Sequence, residues 1–275
     1  MINDIQNNLI KKESIFGPDN YKPLPVVLSR AKGVWAWDVN EKKYLDMMSG
    51  YSAVSHGHAH PELLRVFHEQ SSKLSLTSRA FYTDTLGPYL ETITKISGFE
   101  MCLPMNSGAE AVETAIKSSR RWAYRTKKVK PGKAEIIVAE GNFHGRTTTI
   151  ISFSTDENSR HDFGPHTPGF VTVKYGCAES LEAAINENTA AVLIEPIQGE
   201  AGIVVPPENY LPKVREICSK HNVLMILDEI QSGLGRTGKL FAYEHSNIQP
   251  DGLILGKALG GGFMPVSCFL SSEEV

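Results

Sequence analysis

The chain has few cysteines and no long apolar run, and both shortages narrow what the protein can be. Its four cysteines, Cys102, Cys177, Cys218 and Cys268, lie far apart in 275 residues, and none belongs to a C-x-x-C pair. We therefore expect no disulfide framework and predict a reducing compartment, the cytoplasm. No apolar stretch approaches the length that a transmembrane helix requires, so we expect no membrane partner.

Excess charge of one sign is also missing. The net charge is −3, and no basic patch stands out. Lysines and arginines gather between residues 120 and 133, a pattern typical of a solvated helix end. We therefore expect no nucleic-acid partner. The N-terminus resembles neither a secretory signal nor an Arg- and Ser-rich transit peptide.

The chain is long enough for one large domain and a smaller piece. Residues 1–50 are predicted to form an N-terminal arm and a β-hairpin, with the hairpin over 34–47, where residues alternate around a polar turn. Residues 51–275 are predicted to form the large domain, which opens with helices near 61–74 and 85–97.

From residue 100 onward, short apolar runs alternate with longer helical patterns. Such alternation predicts an α/β fold with a mainly parallel central sheet and helices on both faces. The runs are 102–105, 136–139, 170–173, 191–194, 224–227, 253–255 and 266–270, and the helical patterns lie near 109–126, 178–187 and 208–221.

The chemistry is expected at the carboxyl ends of these strands, where parallel sheets bind ligands. L-M-I-L-D-E at 224–229 delivers Asp228 to that edge, and I-L-G-K-A delivers Lys257. An amine forms a Schiff base with the aldehyde of pyridoxal phosphate (PLP), and a carboxylate keeps its pyridine nitrogen protonated. Apolar residues and glycines around Lys257 predict burial, which favours the neutral amine.

Two alternatives exist for Asp228 and Glu229. One is an N-cap of a helix after the strand. The other is the acidic strand of a nucleoside triphosphatase. Such an enzyme also requires a phosphate-binding loop. The nearest match, G-L-G-R-T-G-K-L at 233–240, has Leu240 where a magnesium-binding Ser or Thr belongs, and it follows the acids by only a few residues. We therefore reject the interpretation of these acids as part of a nucleoside triphosphatase.

Two further motifs fit a phosphate and a flat ring. N-S-G-A-E-A at 106–111 begins a helix whose free amides suit an anion, although a plain capped helix fits equally. In G-N-F-H-G-R-T at 141–147, Phe143 and His144 offer a flat face to a ring, and Arg146 offers a fork for a carboxylate. The alternative is a turn with a packed Phe and a surface Arg.

The motif H-G-H-A-H at 56–60 brings three imidazoles together, as a zinc site would require. However, Gly57 and Pro61 favour a loop, and no nearby Cys or acid completes a set of zinc ligands. We predict no metal site. Glu195 and Glu200 follow another apolar run, and they are either structural or part of the site at the same edge.

Taken together, these motifs resemble class III (subgroup II) PLP-dependent aminotransferases of fold type I. N-S-G-A-E, G-N-F-H-G-R-T, E-P-I-Q-G-E-A-G, L-D-E-I-Q-S-G-L-G-R-T-G and L-G-K-A-L-G-G-G carry the resemblance over nearly the whole chain. N-Y-K-P-L-P-V, G-Y-S-A-V-S-H-G-H-A-H-P and L-T-S-R-A-F-Y resemble the branch that uses ornithine.

The resemblance implies PLP as the cofactor and roles for its contacts. Lys257 is implied as the Schiff-base lysine and proton shuttle, and Asp228 as the partner of the pyridinium nitrogen. The other implied cofactor contacts are the ring-stacking Phe143 with His144, Gln231 near the phenolic oxygen, and Ser107, Gly108 and Ala109 at the phosphate.

The resemblance also implies the substrates. L-ornithine gives its δ-amino group to 2-oxoglutarate, which yields glutamate 5-semialdehyde and glutamate. Arg146 is implied to bind the carboxylate of 2-oxoglutarate, Tyr21 and Tyr51 to line the ornithine pocket, and Glu200 to switch Arg146 between substrates. Homodimers are implied for the family. Acetylornithine and 4-aminobutyrate remain alternative amino donors.

Family members run to roughly 400 residues with a small C-terminal domain, consistent with the usual domain sizes. The chain stops at Val275, soon after an expected strand. The small domain is expected to be absent, so we expect weak or no turnover from this chain. A non-catalytic module that keeps the fold is therefore a further alternative.

Overall fold

The protein is described by a computed structural model, which covers residues 2–275, with side chains from residue 5 onward. It forms two compact units, one ending at Ala80 and the other spanning Phe81–Val275. The domain boundary predicted at residue 50 stays a prediction. Within the described residues, no helix has both the length and the apolar character that crossing a membrane demands.

The first unit contains a small antiparallel sheet. Its elements are α1 (Ile2–Phe16), β1 (Leu28–Lys32), β2 (Trp35–Asp38), β3 (Lys43–Leu45) and α2 (Pro61–Lys73), with the strands in the order β1-β2-β3. The predicted hairpin is confirmed as β2 and β3. β1 extends it unpredicted, because L-S-R-A-K is mostly exposed and lacks apolar alternation. Helix α1 lies within the predicted N-terminal arm, and its apolar side chains, such as Ile5, are exposed.

The histidine cluster at 56–60 also lies in this unit. His58 Nε2 is 2.7 Å from Asp46 Oδ2, and its backbone pairs with Gly33. The described residues contain no group of three or more side chains suited to a metal ion. The segment around His58 is a loop that a hydrogen bond to Asp46 and the backbone pairing with Gly33 hold in place.

The second unit is built on a seven-stranded sheet in the order β4-β10-β9-β8-β7-β5-β6. Its strands are β4 (Met101–Met105), β5 (Glu135–Ala139), β6 (Phe170–Val173), β7 (Thr189–Ile194), β8 (Leu224–Asp228), β9 (Gly252–Leu255) and β10 (Ser267–Ser271). Its helices are α3 (Leu86–Ser97), α4 (Gly108–Arg125), α5 (Thr148–Ile151), α6 (Glu157–Arg160), α7 (Ala178–Ala184) and α8 (Tyr210–Lys220), with short 3₁₀ turns at Ala242–Ser246 and Lys257–Gly260.

All the strands of this sheet except β10 run in one direction. Strands β6, β5, β7, β8 and β9 pair in parallel. Strand β10 is antiparallel to both β9 and β4, so β4 points the same way as β9. The link between β9 and β10 is too short for the crossover that a parallel pair needs, which explains the reversal. The carboxyl ends of β4, β5, β7, β8 and β9 therefore share one edge.

The sheet is buried on both faces, as predicted. Strand β7 is buried at every residue, with Val192 and Ile194 in one core cluster and Ala191 and Leu193 in the other. Helix α4 contributes to the second cluster, and α7 and α8 contribute to the first. Continuous apolar strands are typical of a parallel sheet with helices on both sides.

Candidate active site

Three neighbouring strands deliver charged side chains to the same edge of the sheet. Asp228 ends β8, Glu195 directly follows β7, and Lys257 comes two residues after β9. Register pairs Ile194 with Leu227 and Asp228 with Ile254, so the three strands end at nearly the same level. The predicted meeting of an amine and a carboxylate follows from this register.

Asp228 is buried and held by two hydrogen bonds. Its Oδ2 lies 2.6 Å from His144 Nδ1, and its Oδ1 accepts from the Ile230 amide at 3.0 Å. The His144 and Asp228 side chains are only 0% and 4% exposed. Burial lowers the pKa of His144, but the hydrogen bond and charge of Asp228, together with the charge of Glu195, outweigh it and raise that pKa. The two hydrogen bonds thus hold the Asp228 side chain in a defined orientation.

Lys257 begins the 3₁₀ turn after β9 with a left-handed backbone, φ 42°. Burial lowers the pKa of its amine, against the charges of Glu200, Asp228 and Glu195, which raise it. The net lowering favours the neutral amine, which is the nucleophilic form.

Glu195 is buried near both groups. Its Oε2 accepts from the Phe143 amide at 3.1 Å, and the Gly199 amide also donates to this carboxyl group. Burial raises the pKa of Glu195 to about 7, assisted by Asp228 and opposed by His144 and the two amides. Glu195 therefore ties the loop after β5 to the loop after β7.

The N-terminus of α4 forms another wall. Ser107 is its N-cap in a capping box with Glu110, whose carboxylate accepts from the amides of Asn106 and Ser107. The next amides, of Gly108 and Ala109, belong to the first turn, which has no intrahelical acceptor. The predicted phosphate contacts therefore lie at the N-terminus of an 18-residue helix, next to the edge that carries Asp228 and Lys257.

Two glycines allow close packing around this helix start. A Cβ on Gly108 would stand 2.8 Å from Ile230 Cδ1. A Cβ on Gly145, which has φ +123°, would stand 2.9 Å from Ala109 Cβ. A side chain at Gly145 would press the loop that carries Phe143 against α4, and one at Gly108 would displace the end of the Ile230 side chain.

These groups surround a cavity of about 180 Å³. Among the residues predicted for the site, it is lined by Gly108, Phe143, His144, Glu200, Asp228, Gln231 and Lys257. The cavity is also lined by three residues that the sequence analysis missed, Ile197, Ile230 and Ser232. The sequence alone does not show which apolar or hydroxyl side chain of a motif faces a ligand. His144 Nε2 and Ser232 Oγ are buried and have no hydrogen-bond partner among the described residues.

Arg146 lines an adjoining cavity of about 370 Å³, which Phe143 and Glu200 also line. Its guanidinium carbon is 5.7 Å from the centre of the Phe143 ring. Glu200 accepts a hydrogen bond from Gln231 Nε2 at 2.9 Å. Tyr21 and Tyr51 belong to the first unit, where their hydroxyl groups are 2.7 Å apart.

Comparison with known proteins identifies the family. The sequence model of the family Aminotransferase class-III matches residues 16–275. The ornithine aminotransferase of Brevibacillus brevis is 54% identical over 269 residues, which are 98% of this chain and 67% of that protein. Ornithine aminotransferase 2 of Staphylococcus saprophyticus is 55% identical over 267 residues, 97% of this chain and 67% of that protein.

Solved structures of aminotransferases superpose closely on this chain. The ornithine aminotransferase of Toxoplasma gondii superposes with a TM-score of 0.97 at 41% identity, over 98% of this chain and 64% of that one; a second structure of that enzyme has PLP at partial occupancy in its active site. The acetylornithine aminotransferase of Elizabethkingia anophelis gives a TM-score of 0.87 at 48% identity, over 98% of this chain and 65% of that one.

The chain thus spans about two thirds of the length of these relatives. The predicted family is confirmed by the family match, and the predicted fold type by the solved structures. The chain belongs to the class-III aminotransferases, with the PLP-dependent fold type I.

Proposed function

We propose that this chain carries the cofactor site of a PLP-dependent aminotransferase that moves the δ-amino group of L-ornithine to 2-oxoglutarate. The products are glutamate 5-semialdehyde and glutamate. The observation that carries the proposal is the placement of Lys257 and Asp228 around one cavity at the carboxyl edge of the sheet. Relatives named ornithine aminotransferase at 53–55% identity support the choice of substrate.

The residues fit PLP. The aldehyde of PLP needs an amine, and its pyridine nitrogen needs a carboxylate. Its phosphate needs a set of backbone amides, and its ring needs an apolar side chain on each face. The cavity offers Lys257, Asp228, the start of α4, and the side chains of Phe143 and Ile230. When bound, PLP supplies an electron-accepting ring that stabilises the carbanion left by loss of a substrate proton.

Lys257 would hold the cofactor and move that proton. A neutral amine is needed for both tasks, and burial of Lys257 favours it. The hydrogen bonds to His144 and the Ile230 amide would hold Asp228 in one rotamer that faces the ring nitrogen. The raised pKa of His144 favours its protonated form, which can donate a hydrogen bond to Asp228 from Nδ1.

Arg146 would bind a carboxylate of 2-oxoglutarate through its two parallel N–H groups. Tyr21 and Tyr51 would bind the α-amino and α-carboxylate groups of ornithine, since paired hydroxyl groups can both donate and accept. Glu200 would help to switch Arg146 between the two substrates. These roles stay proposals, as do those of Ser107, Ala109 and Gln231 at the cofactor.

N-acetylornithine is the second candidate donor. It is favoured by the 48% identity to the Elizabethkingia anophelis enzyme, which exceeds the 41% identity to the Toxoplasma gondii enzyme. The Tyr21–Tyr51 pair is the feature that distinguishes the two donors, because an acylated amine would not need the same hydroxyl groups.

An absorbance spectrum of the purified chain with added PLP tests the proposal. Binding at Lys257 should give a visible band that L-ornithine bleaches. A band that only N-acetylornithine or only 4-aminobutyrate bleaches would transfer the function to that substrate. A band that no amine bleaches would indicate a cofactor-binding module without catalysis, and no band would contradict the cofactor site itself.

Substitutions at Tyr51 test the pocket. Tyr51→Phe removes only the hydroxyl group, and Tyr51→Ile removes the ring as well. Loss of a hydrogen bond to a charged substrate group should slow the ornithine reaction by about 10- to 100-fold. The reaction with 4-aminobutyrate, which has no α-amino group, should change little. Equal losses for both substrates would contradict this pocket.

We also propose that the chain works as a homodimer in the cytoplasm. Met47 and Leu76 are 85% and 97% exposed, and a partner subunit would cover apolar side chains of this kind. The four cysteines are free, as a reducing compartment would leave them. Light scattering of the purified chain would measure its oligomeric state.

A further inference from the structure

Ser267 joins the central sheet to the start of α4. It is the first residue of β10 and pairs with Met105, the last residue of β4. Its hydroxyl group donates a hydrogen bond to the backbone oxygen of Ser107, the N-cap of α4, at 2.6 Å. Ser267 is fully buried, at 0% exposure. A residue 160 positions further along the chain therefore holds the first peptide unit of this helix.

This hydrogen bond fixes the direction of an amide as well as that of a carbonyl group. The peptide bond between Ser107 and Gly108 is planar, so its C=O and N–H groups point in opposite directions. The Ser107 oxygen also accepts from the Ala111 amide at 3.2 Å, and so both of its lone pairs are used. Two donors therefore hold this peptide plane, and the Gly108 N–H group cannot turn without breaking the contact with Ser267.

The Gly108 amide is available to a ligand, in contrast to its neighbours. The Glu110 carboxylate accepts from the amides of Asn106 and Ser107. The amides of Gly108 and Ala109 lie in the first turn, where a helix has no acceptor of its own. Gly108 also lines the cavity proposed for PLP, so its N–H group is placed to meet the cofactor phosphate.

We propose that Ser267 is a positioning residue that aims the Gly108 amide at the phosphate of PLP. Ser267 is not among the residues that line the cavity, and it acts only through the Ser107–Gly108 peptide unit. The inference rests on the proposed function, because that function puts the cofactor phosphate at the start of α4.

The position of Ser267 in the chain adds a second consequence. Lys257 and Ser267 lie at the two ends of the connection between β9 and β10. One short segment would therefore hold the cofactor at its aldehyde, through Lys257, and at its phosphate, through Ser267 and the Gly108 amide.

Ser267→Ala tests this role, because it removes only the hydroxyl oxygen. Ser271→Ala is the matched control. Ser271 lies on the same strand and is 5% exposed, and its hydroxyl group donates to the backbone oxygen of Asp251, also at 2.6 Å. Both variants should lose similar stability, since each loses one hydrogen bond to a backbone oxygen. Only Ser267→Ala changes a contact with α4.

The first measurement is the affinity of the cofactor-free chain for PLP and for pyridoxal, which lacks the phosphate, followed by the visible band of each. We expect Ser267→Ala to weaken PLP binding about three- to tenfold, the usual contribution of one hydrogen bond, and to leave pyridoxal binding unchanged. Ser271→Ala should change neither. Equal losses for PLP and pyridoxal, equal losses in the two variants, or no loss for PLP would overturn the proposal.

The second measurement needs no PLP. The backbone amide signal of Gly108 in the NMR spectrum of the cofactor-free chain should move in Ser267→Ala and stay in place in Ser271→Ala. Inorganic phosphate should move the same signal in the wild type, and higher concentrations should be needed in Ser267→Ala. A Gly108 signal that does not respond to phosphate in the wild type, or that Ser267→Ala leaves in place, would refute the role of Ser267.

These outcomes separate the role of Ser267 from the proposed reaction. If Ser267→Ala weakens PLP binding alone while L-ornithine leaves the PLP-loaded wild type unchanged, the role of Ser267 is supported and the proposed reaction is wrong. If L-ornithine bleaches the wild-type band while Ser267→Ala binds PLP as the wild type does, the reaction stands and the role of Ser267 is wrong.

Discussion

Removal of the His144 imidazole is the sharpest test of how this site is held together. The pair of His144 and Asp228 is buried, with side chains 0% and 4% exposed and 2.6 Å between Nδ1 and Oδ2. His144→Ala leaves the Asp228 carboxylate buried without its charged partner. Breaking a buried pair from one side typically costs about 3–5 kcal/mol. We expect the lower end, because the Ile230 amide still donates to Asp228.

The loss of unfolding free energy in His144→Ala should become smaller as the pH rises. Burial lowers the pKa of His144, but the hydrogen bond and charge of Asp228 and the charge of Glu195 raise it overall. A raised folded-state pKa means that the pairing contributes fully below the unfolded value, about 6.5, and is lost as the pH rises through the folded value. The stability gap between wild type and His144→Ala should therefore be wider at pH 6 than at pH 9.

Urea unfolding of the cofactor-free chain, followed by circular dichroism, measures this gap. His161→Ala is the matched control. It breaks the same kind of contact, 2.9 Å between Nδ1 and Asp162 Oδ2, but with side chains 77% and 86% exposed. An exposed pair contributes about 0–1 kcal/mol. The reasoning is refuted if His144→Ala costs no more than His161→Ala, or if the gap widens as the pH rises.

Two further predictions concern the cofactor and the sheet. Borohydride reduction of the PLP-loaded chain should leave the cofactor attached to the wild type after denaturation and not to Lys257→Ala, as mass spectrometry would show; an equal amount on both would place the attachment elsewhere. Gly252→Ala should cost about 1–3 kcal/mol by overpacking, because its Cβ would stand 2.6 Å from Ile226 Cδ1 and 2.8 Å from the Phe269 ring. In chemical denaturation the control Gly87→Ala, whose Cβ would enter open space, should lose nothing, and equal stability of the two variants would contradict the packing at Gly252.

The sequence determined the secondary structure of the second unit and the edge where its chemistry lies. Buried strands such as β8 carry apolar residues at every position before the final Asp228, and helices such as α4 repeat them every three to four residues, so the sequence shows both patterns locally. Because parallel strands share their carboxyl edge, the positions of Asp228 and Lys257 along the chain were enough to predict their meeting.

Tertiary structure decided what no local pattern contains. The strand order and the reversal of β10 depend on packing and on the length of a connection. The contacts of Asp228 with His144 and of Glu200 with Gln231 join residues 84 and 31 positions apart. Gly199 shows the reason most directly, since its lack of a side chain is explained only by an amide group from a different loop that fills the space.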